Sequence, residues 1–305
     1  VVNTLLCTPL TLALPRMRGR EVYQNPLSHP RERARVRGSC KTEHPRFQYT
    51  TAMLVLPITT GILKKNDDLA AVLTKNTDLQ DRDIIVISSK AIATVQGAAI
   101  DLTAIQPTDQ AKSWAERSGR SPEFSQAVLN ETARLHGRIT GGSPQAILTE
   151  LKPRGFTGVL LVPNAGLDQS NIAEGEVIGW PADPVASVCA LRQALEQGTG
   201  VRLGLVISDS NCTPRRWGVT AFALVCSGFN PLSSQIGKKD LFGRPLTITQ
   251  EAVADQLATA ANAVMGNADQ ATPAAIIRDH GIAFSDFEGW VPGIDPKEDL
   301  FQGMV

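Results

Sequence analysis

The sequence predicts one mixed α/β (α+β) body spanning residues 53–290. Three observations carry that expectation: short apolar runs bounded by turn residues, segments of helical period between them, and a capped helix separating two apolar runs that each lead to an aspartate. "MLVLPI" (53–58) and "DIIVISSK" (83–90) are of the first kind and read as buried strands. Between them "NDDLAAVLTKN" reads as a helix with acids in its first turn, where the dipole favours them. Residues 109–117 and 123–136 have helix-forming composition with charged faces. "FTGVLLV" and "RLGLVISD" are expected as two further central strands. The helix between these two, "DPVASVCALRQALEQG", has Asp183 as N-cap, Pro184 at its first position, Val188, Leu191 and Leu195 on one face, and Gly198 as its stop. "GVTAFALVCSGF" fits a strand or a buried helix. "EAVADQLATAANAVMG" sets Val253, Leu257, Ala261 and Val264 on one helical face and ends at Gly266. "TPAAIIRD" is the last strand, and beyond about residue 286 an acidic, weakly structured tail is expected, with 291–305 outside the domain.

Bulk properties exclude some functions. The 305-residue chain is 42% hydrophobic and 20% charged with a formal net charge of zero, so nothing in the total points to a nucleic-acid or membrane partner. The charge is unevenly spread, however. Residues 1–50 hold eight Arg and one Lys against three Glu, which leaves the remainder with six more acids than bases. That first stretch has no sustained period, and residues 1–52 are expected to be a disordered or non-native extension. Three readings compete for it: a translated upstream region ahead of a start at Met53, an Arg-rich transit-type arm, or a basic binding tail. The first is favoured because "MLVLPITTGIL" begins strand-like order abruptly. Cys7, Cys40, Cys189, Cys212 and Cys226 form an odd set without a CxxC pair, so no disulfide framework is expected and a cytoplasmic location is the default. Cys212 is the one to watch, since it sits in a polar segment. No apolar run approaches the roughly 18 residues that span a bilayer.

The chemistry centres on two strand ends. "LLVPNAGLD" reaches Asp168 and "GLVISDS" reaches Asp209. If the two strands are neighbours, their carboxyl ends share one rim, where α/β sheets place ligands. Two carboxylates on one rim repel unless a cation lies between them, and a hard ion such as Mg²⁺ or Mn²⁺ takes one or two carboxylates plus hydroxyl, water and phosphate oxygens. Ser210 could add the hydroxyl, and Asn171 could hydrogen-bond a bound group. Spacing leaves a second reading equally open, in which both aspartates cap helices or turns. Arg215 and Arg216 in "TPRRWG", and Lys238, Lys239 and Arg244 in "GKKDLFGRP", fit an anionic substrate, although charged loops are usually only solvated. "SSK" (88–90) and "MGNADQATP" (265–273) offer small polar groups to phosphate, but the latter also reads as a helix C-cap and loop. Neither a Walker loop nor GxGxxG occurs, so a nucleotide would have to be held by this fold's own loops. No Ser, His, Asp triad is evident among the four histidines, three of which, His29, His44 and His280, lie in or near loops.

"NAGLDQSN", "GLVISDS", "GVTAFAL", "GFNPL", "GKKDLFGRPLTIT" and "VADQLATAANAVMG", in that order, resemble the coenzyme F420-0:L-glutamate ligase family. The similarity covers roughly residues 53–285 and is greatest to a bacterial branch assigned to folate metabolism. The resemblance implies a family-specific α+β fold forming an intertwined homodimer, and a GTP- and divalent-metal-dependent ligase that joins the amine of L-glutamate to a carboxylate through an acyl phosphate. The acceptor would be F420-0 or a folate-like compound. Carried over by position, Asp168, Asp209 and Ser210 would hold Mn²⁺ or Mg²⁺, with Ser210 where the family usually has Thr. Pro57, Ile58, Thr59, Thr60, Ser89, Lys90, Asn171, Gly266, Asn267 and Gln270 would contact the nucleotide. Arg216 joins the two aspartates as a catalytic candidate, and Lys238, Lys239 and Arg244 would meet substrate or phosphate.

Some positions depart from the family pattern. Thr94 stands where the F420 enzymes have a second Lys, Trp217 where the bacterial branch commonly has a second Arg, and Gln270 where an acid is common. These changes touch substrate and nucleotide loops and leave both aspartates in place. Two rivals follow: another metal-dependent phosphoryl or nucleotidyl transferase, which glutamate-dependent GDP release would separate, and a catalytically silent nucleotide-binding protein, whose cellular role would survive loss of Asp168 or Asp209.

Overall fold

β1 (Leu54–Ile58) is the first element among the described residues of a computed structural model, which are 52–75, 77–301 and 303. The expectations for residues 1–50 lie outside the described residues. From β1 the chain runs through α1 (Leu69–Lys75), β2 (Ile84–Ser88), α2 (Ser89–Val95), β3 (Ile100–Asp101), α3 (Asp109–Ser118) and α4 (Pro122–Arg134). It continues through β4 (Arg138–Ser143), β5 (Ala146–Leu151), β6 (Leu160–Pro163), β7 (Glu176–Val177) and α5 (Pro184–Thr199). β8 (Gly204–Cys212), β9 (Val219–Phe229), β10 (Ser233–Ser234), β11 (Gln250–Glu251), α6 (Val253–Met265), β12 (Ala274–Arg278) and β13 (Phe284–Trp290) complete it.

The main sheet has six strands in the order β1-β12-β2-β8-β9-β13, with β2 and β8 parallel and the other pairs antiparallel. β2 explains why an unbroken apolar run is required at its centre. Ile85 and Ile87 join one core cluster, while Ile84 and Val86 join another, so the strand is buried on both faces. Each such side chain contributes about 1.5–3 kcal/mol by leaving water. α6 covers one face through Leu257, Ala258 and Ala261. Helices α1, α2, α4 and α5 contribute to the cluster on the other face, to which a three-stranded sheet of β4, β5 and β6 adds Ile147, Leu151 and Val162.

Caps set the helix limits. Asp183 accepts the Ala186 N–H (2.9 Å) ahead of Pro184, and Val188, Leu191 and Leu195 are buried as their spacing predicts. The expected stop at Gly198 is corrected: α5 runs on to Thr199 and ends at Gly200, which takes the left-handed conformation (φ 73°). α1 is also shorter than expected. Its acids lie ahead of the first turn, where Asp68 accepts the Ala71 N–H (3.0 Å) as a cap. Ser121 caps α4 by accepting the Phe124 N–H (3.1 Å), with Pro122 at the first position. We expect Ser121→Ala to cost about 1 kcal/mol in urea unfolding.

Four further outcomes matter. "GVTAFALVCSGF" is a strand, since β9 pairs with β8 on one side and β13 on the other. β13 corrects the expected weak structure after residue 286. Its Phe284, Phe287 and Trp290 fall three apart and a register shift interrupts its pairing with β9, so it lacks strand periodicity in the sequence. β4 and β5 form a hairpin outside the expected elements. The expectation that "FTGVLLV" is a central strand is corrected, and the condition that it neighbours "RLGLVISD" is not met, because β6 pairs with β5 in the smaller sheet while β8 lies beside β2 in the larger.

Candidate active site

The carboxyl ends of β2 and β8 lie side by side because their parallel register sets Ser88 opposite Ser208. Lys90 follows at the start of α2, and Asp209 is the next residue of β8. A register shift between Ile207 and Ser208 precedes Asp209, and Asp255 of α6 accepts the Ala223 N–H (2.8 Å) nearby. Asp168 reaches this rim without a neighbouring strand. Its backbone exchanges two hydrogen bonds of 2.9 Å with Ile178, after a tight turn in which Asn164, Ala165 and Gly166 all have positive φ. Asn164 itself has a structural role, since its side-chain oxygen accepts the buried Ile147 N–H (2.9 Å).

Lys90 donates to Asp168 Oδ2 (2.5 Å), Ser170 O (2.7 Å) and Ser170 Oγ (2.9 Å). Ser170 in turn donates its hydroxyl to Asp168 Oδ2 (2.6 Å) and its N–H to Oδ1 (2.9 Å). Burial raises the Asp168 carboxyl, but the Lys90 and Ser170 hydrogen bonds and the Lys90 charge outweigh it and hold the group below its ordinary range. Asp209 shows the opposite balance. Burial pushes it up to about 6, aided by the Asp168 charge and opposed by hydrogen bonds from Trp180 and the Ser210 N–H and by the Lys90 charge. Trp180 Nε1 donates to Oδ2 (2.6 Å), and the Ser210 N–H donates to Oδ1 (2.8 Å). Ser210 pairs with Ala221 of β9 at the exposed end of β8.

These features suit a hard divalent cation. The Lys90 ammonium sits on Asp168, and Asp209 is a partly buried carboxylate whose charged form burial disfavours and a nearby positive charge favours. Among the described residues no group of three or more His, Cys, Asp or Glu gathers. Two carboxylates are a number that a Mg²⁺ site accepts when water and phosphate oxygens fill its other positions.

The expected nucleotide residues converge on the same end. Asn171 donates its side-chain N–H to Ala268 O (2.9 Å). The Thr60 N–H donates to Ala271 O (3.0 Å), the Thr59 and Thr272 hydroxyls meet at 3.2 Å, and the Ser88 N–H donates to Pro273 O (2.9 Å). The loop from Gly266 to Pro273 is therefore tied to the ends of β1 and β2 and to the Asp168 segment. Gln270 accepts the Ala268 N–H (2.8 Å) and so braces this loop from within. The basic candidates are not drawn in. Arg216 lies in the exposed β8–β9 turn, Lys238 and Lys239 lie on the arm around β10 and β11, and Arg244 pairs with Asp240 of that arm (3.1 Å). Trp180 was missed by sequence reasoning, because a single Trp before "PADP" carries no spacing signal. Cys226 is a core residue, Cys189 is half-buried and Cys212 is exposed.

A mixed sheet with Lys90 paired to Asp168 and near Asp209 at one end, beside a loop of small polar residues, describes an α+β protein with a candidate carboxylate-centred site. Residues 57–279 match the family described as F420-0:Gamma-glutamyl ligase, and the chain belongs to that family of ligases. It is 37% identical over 227 residues to the coenzyme F420:L-glutamate ligase of Methanopyrus kandleri, covering 74% of this chain and 86% of the relative. The same-named proteins of Methanothermobacter thermautotrophicus (37% over 228 residues, 74% and 87% covered) and Methanocaldococcus jannaschii (38% over 224 residues, 73% and 86% covered) are similarly related. Among the described residues, no helix is long and apolar enough to cross a membrane.

Proposed function

We propose that the protein is a GTP- and divalent-cation-dependent γ-glutamyl ligase, adding L-glutamate to the carboxylate of F420-0 or a folate-like acceptor in the cytoplasm. The observation that carries this reading is the Lys90, Asp168, Asp209 cluster beside the loop tied to Asn171 and Thr60. Asp168 and Asp209, with Ser210 beside them, would hold Mg²⁺ or Mn²⁺, which when bound neutralises charge developing on the phosphates. Lys90 supplies a second, movable positive charge for phosphate oxygens, and Ser89, Asn171, the Pro57–Thr60 segment and the Gly266–Pro273 loop bind and orient the nucleotide. The acceptor carboxylate attacks the terminal phosphate, releasing GDP and forming an acyl phosphate. The glutamate amine then displaces phosphate to leave an amide. Arg216, Lys238, Lys239 and Arg244 are suited to the anionic groups of acceptor and glutamate.

The test is direct. The protein is incubated with Mn²⁺ or Mg²⁺, GTP or ATP, L-glutamate and either F420-0 or a pterin carboxylate, and products are weighed by mass spectrometry. A product heavier by one glutamyl unit, formed with GDP, is expected. Absence of any glutamylated product across these acceptors would sink the proposal.

A homodimer belongs to the same reading. Trp217, Leu241, Phe242 and Ile248 are exposed large apolar side chains on the β8–β9 turn and the β10–β11 arm, which is where a partner surface would form. We expect Leu241→Asp with Phe242→Asp to halve the mass seen by analytical ultracentrifugation. An unchanged mass would place the interface elsewhere.

A further inference from the structure

We infer that Trp180 is the positioning residue that fixes the Asp209 carboxylate for cation binding, an inference resting on the proposed role of Asp209. The indole N–H donates to Asp209 Oδ2 at 2.6 Å, and a hydrogen bond to a carboxylate is stronger than one between neutral groups. The ring has little freedom to leave. It is 3% exposed, and Trp290 packs against it at 6.4 Å between centroids. Trp290 is itself held by Phe156 edge-on (5.8 Å) and by its own N–H to Arg154 O (3.2 Å).

The opposite contact links Trp180 to the second aspartate. At Gly166 (φ 77°) a Cβ would sit 2.7 Å from both Nε1 and Cε2 of Trp180, so the indole lies against the glycine backbone of the turn that leads to Asp168. The same ring therefore contacts the Asp168 segment and bonds Asp209. With the Ser210 N–H on Oδ1, each Asp209 oxygen accepts one fixed donor and keeps a lone pair for a cation. Partners of this kind, bonded to a ligand rather than to the metal, typically change metal affinity or activity 10–100-fold.

The experiment uses the whole protein and Mn²⁺ itself, with free Mn²⁺ read by electron paramagnetic resonance at pH 8. We expect Trp180→Phe, which keeps the ring and removes the donor, to weaken Mn²⁺ binding about 10–100-fold while remaining folded by circular dichroism. Trp114→Phe, on α3 beside Gly142 and Arg117, removes an indole with no part in this contact and should stay within twofold of wild type. A measurement on wild type needs no variant to fold: Mg²⁺ titration should shift the Trp180 indole N–H resonance more than that of Trp290. Wild-type affinity in folded Trp180→Phe, or an unmoved Trp180 resonance, overturns the inference. If Asp209→Asn abolishes Mn²⁺ binding and Trp180→Phe preserves it, the inference fails alone. If wild type binds no Mn²⁺, the functional reading fails and the inference falls with it.

Discussion

Asp209→Asn is expected to lower glutamate-dependent GDP release by about 10³-fold or more, while making the metal-free protein more stable above pH 6. The two effects have one cause. Desolvation pushes the Asp209 carboxyl from 3.8 up to about 6. Between those values the folded protein binds a proton that the unfolded chain has released. The contribution to stability is thus full below about pH 4 and is lost as pH rises through 6, with an upper bound on the order of 3 kcal/mol. An amide carries no charge and avoids that loss. It can, however, offer its oxygen to only one of the Trp180 and Ser210 N–H donors, which returns about 1–2 kcal/mol. The stability difference between variant and wild type should therefore grow in the variant's favour from pH 4 to 6 and level off above about 6.5, at roughly 1–2 kcal/mol. Urea unfolding in EDTA across that range measures it, and a flat difference would refute the assignment. Added Mn²⁺ should stabilise wild type and leave the variant unchanged.

Much of the fold was legible because its central strands obey simple rules. The apolar run at β2 had to be buried on both faces, and the capping signals at Asp183 and Pro184 began a helix where they stand. β13 was hidden by a register shift and by acids whose partners are remote in sequence: Glu288 accepts from Ser227 (3.0 Å) and Arg192 (3.4 Å). The candidate cluster was legible in its residue types and illegible in the route that gathers them. The rim shared by Asp168 and Asp209 was conditional on their strands being neighbours, whereas β6 belongs to another sheet. Asp168 is brought to the rim by its exchange with Ile178 and by Lys90. Register between sheets depends on side-chain packing across long loops, which no local period records. Trp180 falls in the same class, since its importance comes from what lies 29 residues away.

Asp83→Ala is the substitution expected to cost the most stability, about 3–5 kcal/mol, with little effect on turnover per folded molecule. Asp83 precedes β2 and its side chain is 1% exposed. It accepts from Arg278 Nε (2.8 Å) and Nη2 (2.7 Å) and from the Gln80 N–H (2.8 Å). Alanine would leave the Arg278 guanidinium without its hydrogen-bonded carboxylate, keeping the Asp78 carbonyl (2.8 Å) and the charges of Asp78 and Asp279, and would strand the Gln80 N–H. Much of the cost is then the orphaned cation, and that can be tested separately. In the Asp83→Ala background, Arg278→Met should recover part of the loss, so the double variant should be more stable than the sum of the single changes allows. Additive costs in a double-mutant cycle would show that the pair contributes no coupling. Activity should follow a different pattern because of where the pair lies. Asp83 sits at the start of β2, where its carbonyl accepts the Gly204 N–H (2.9 Å), and the Lys90, Asp168, Asp209 cluster lies beyond the strand's other end. β2 thus separates the ion pair that holds β12 to it from the carboxylates proposed for catalysis, and a variant at one end should lower the amount of folded enzyme while leaving the chemistry at the other end intact.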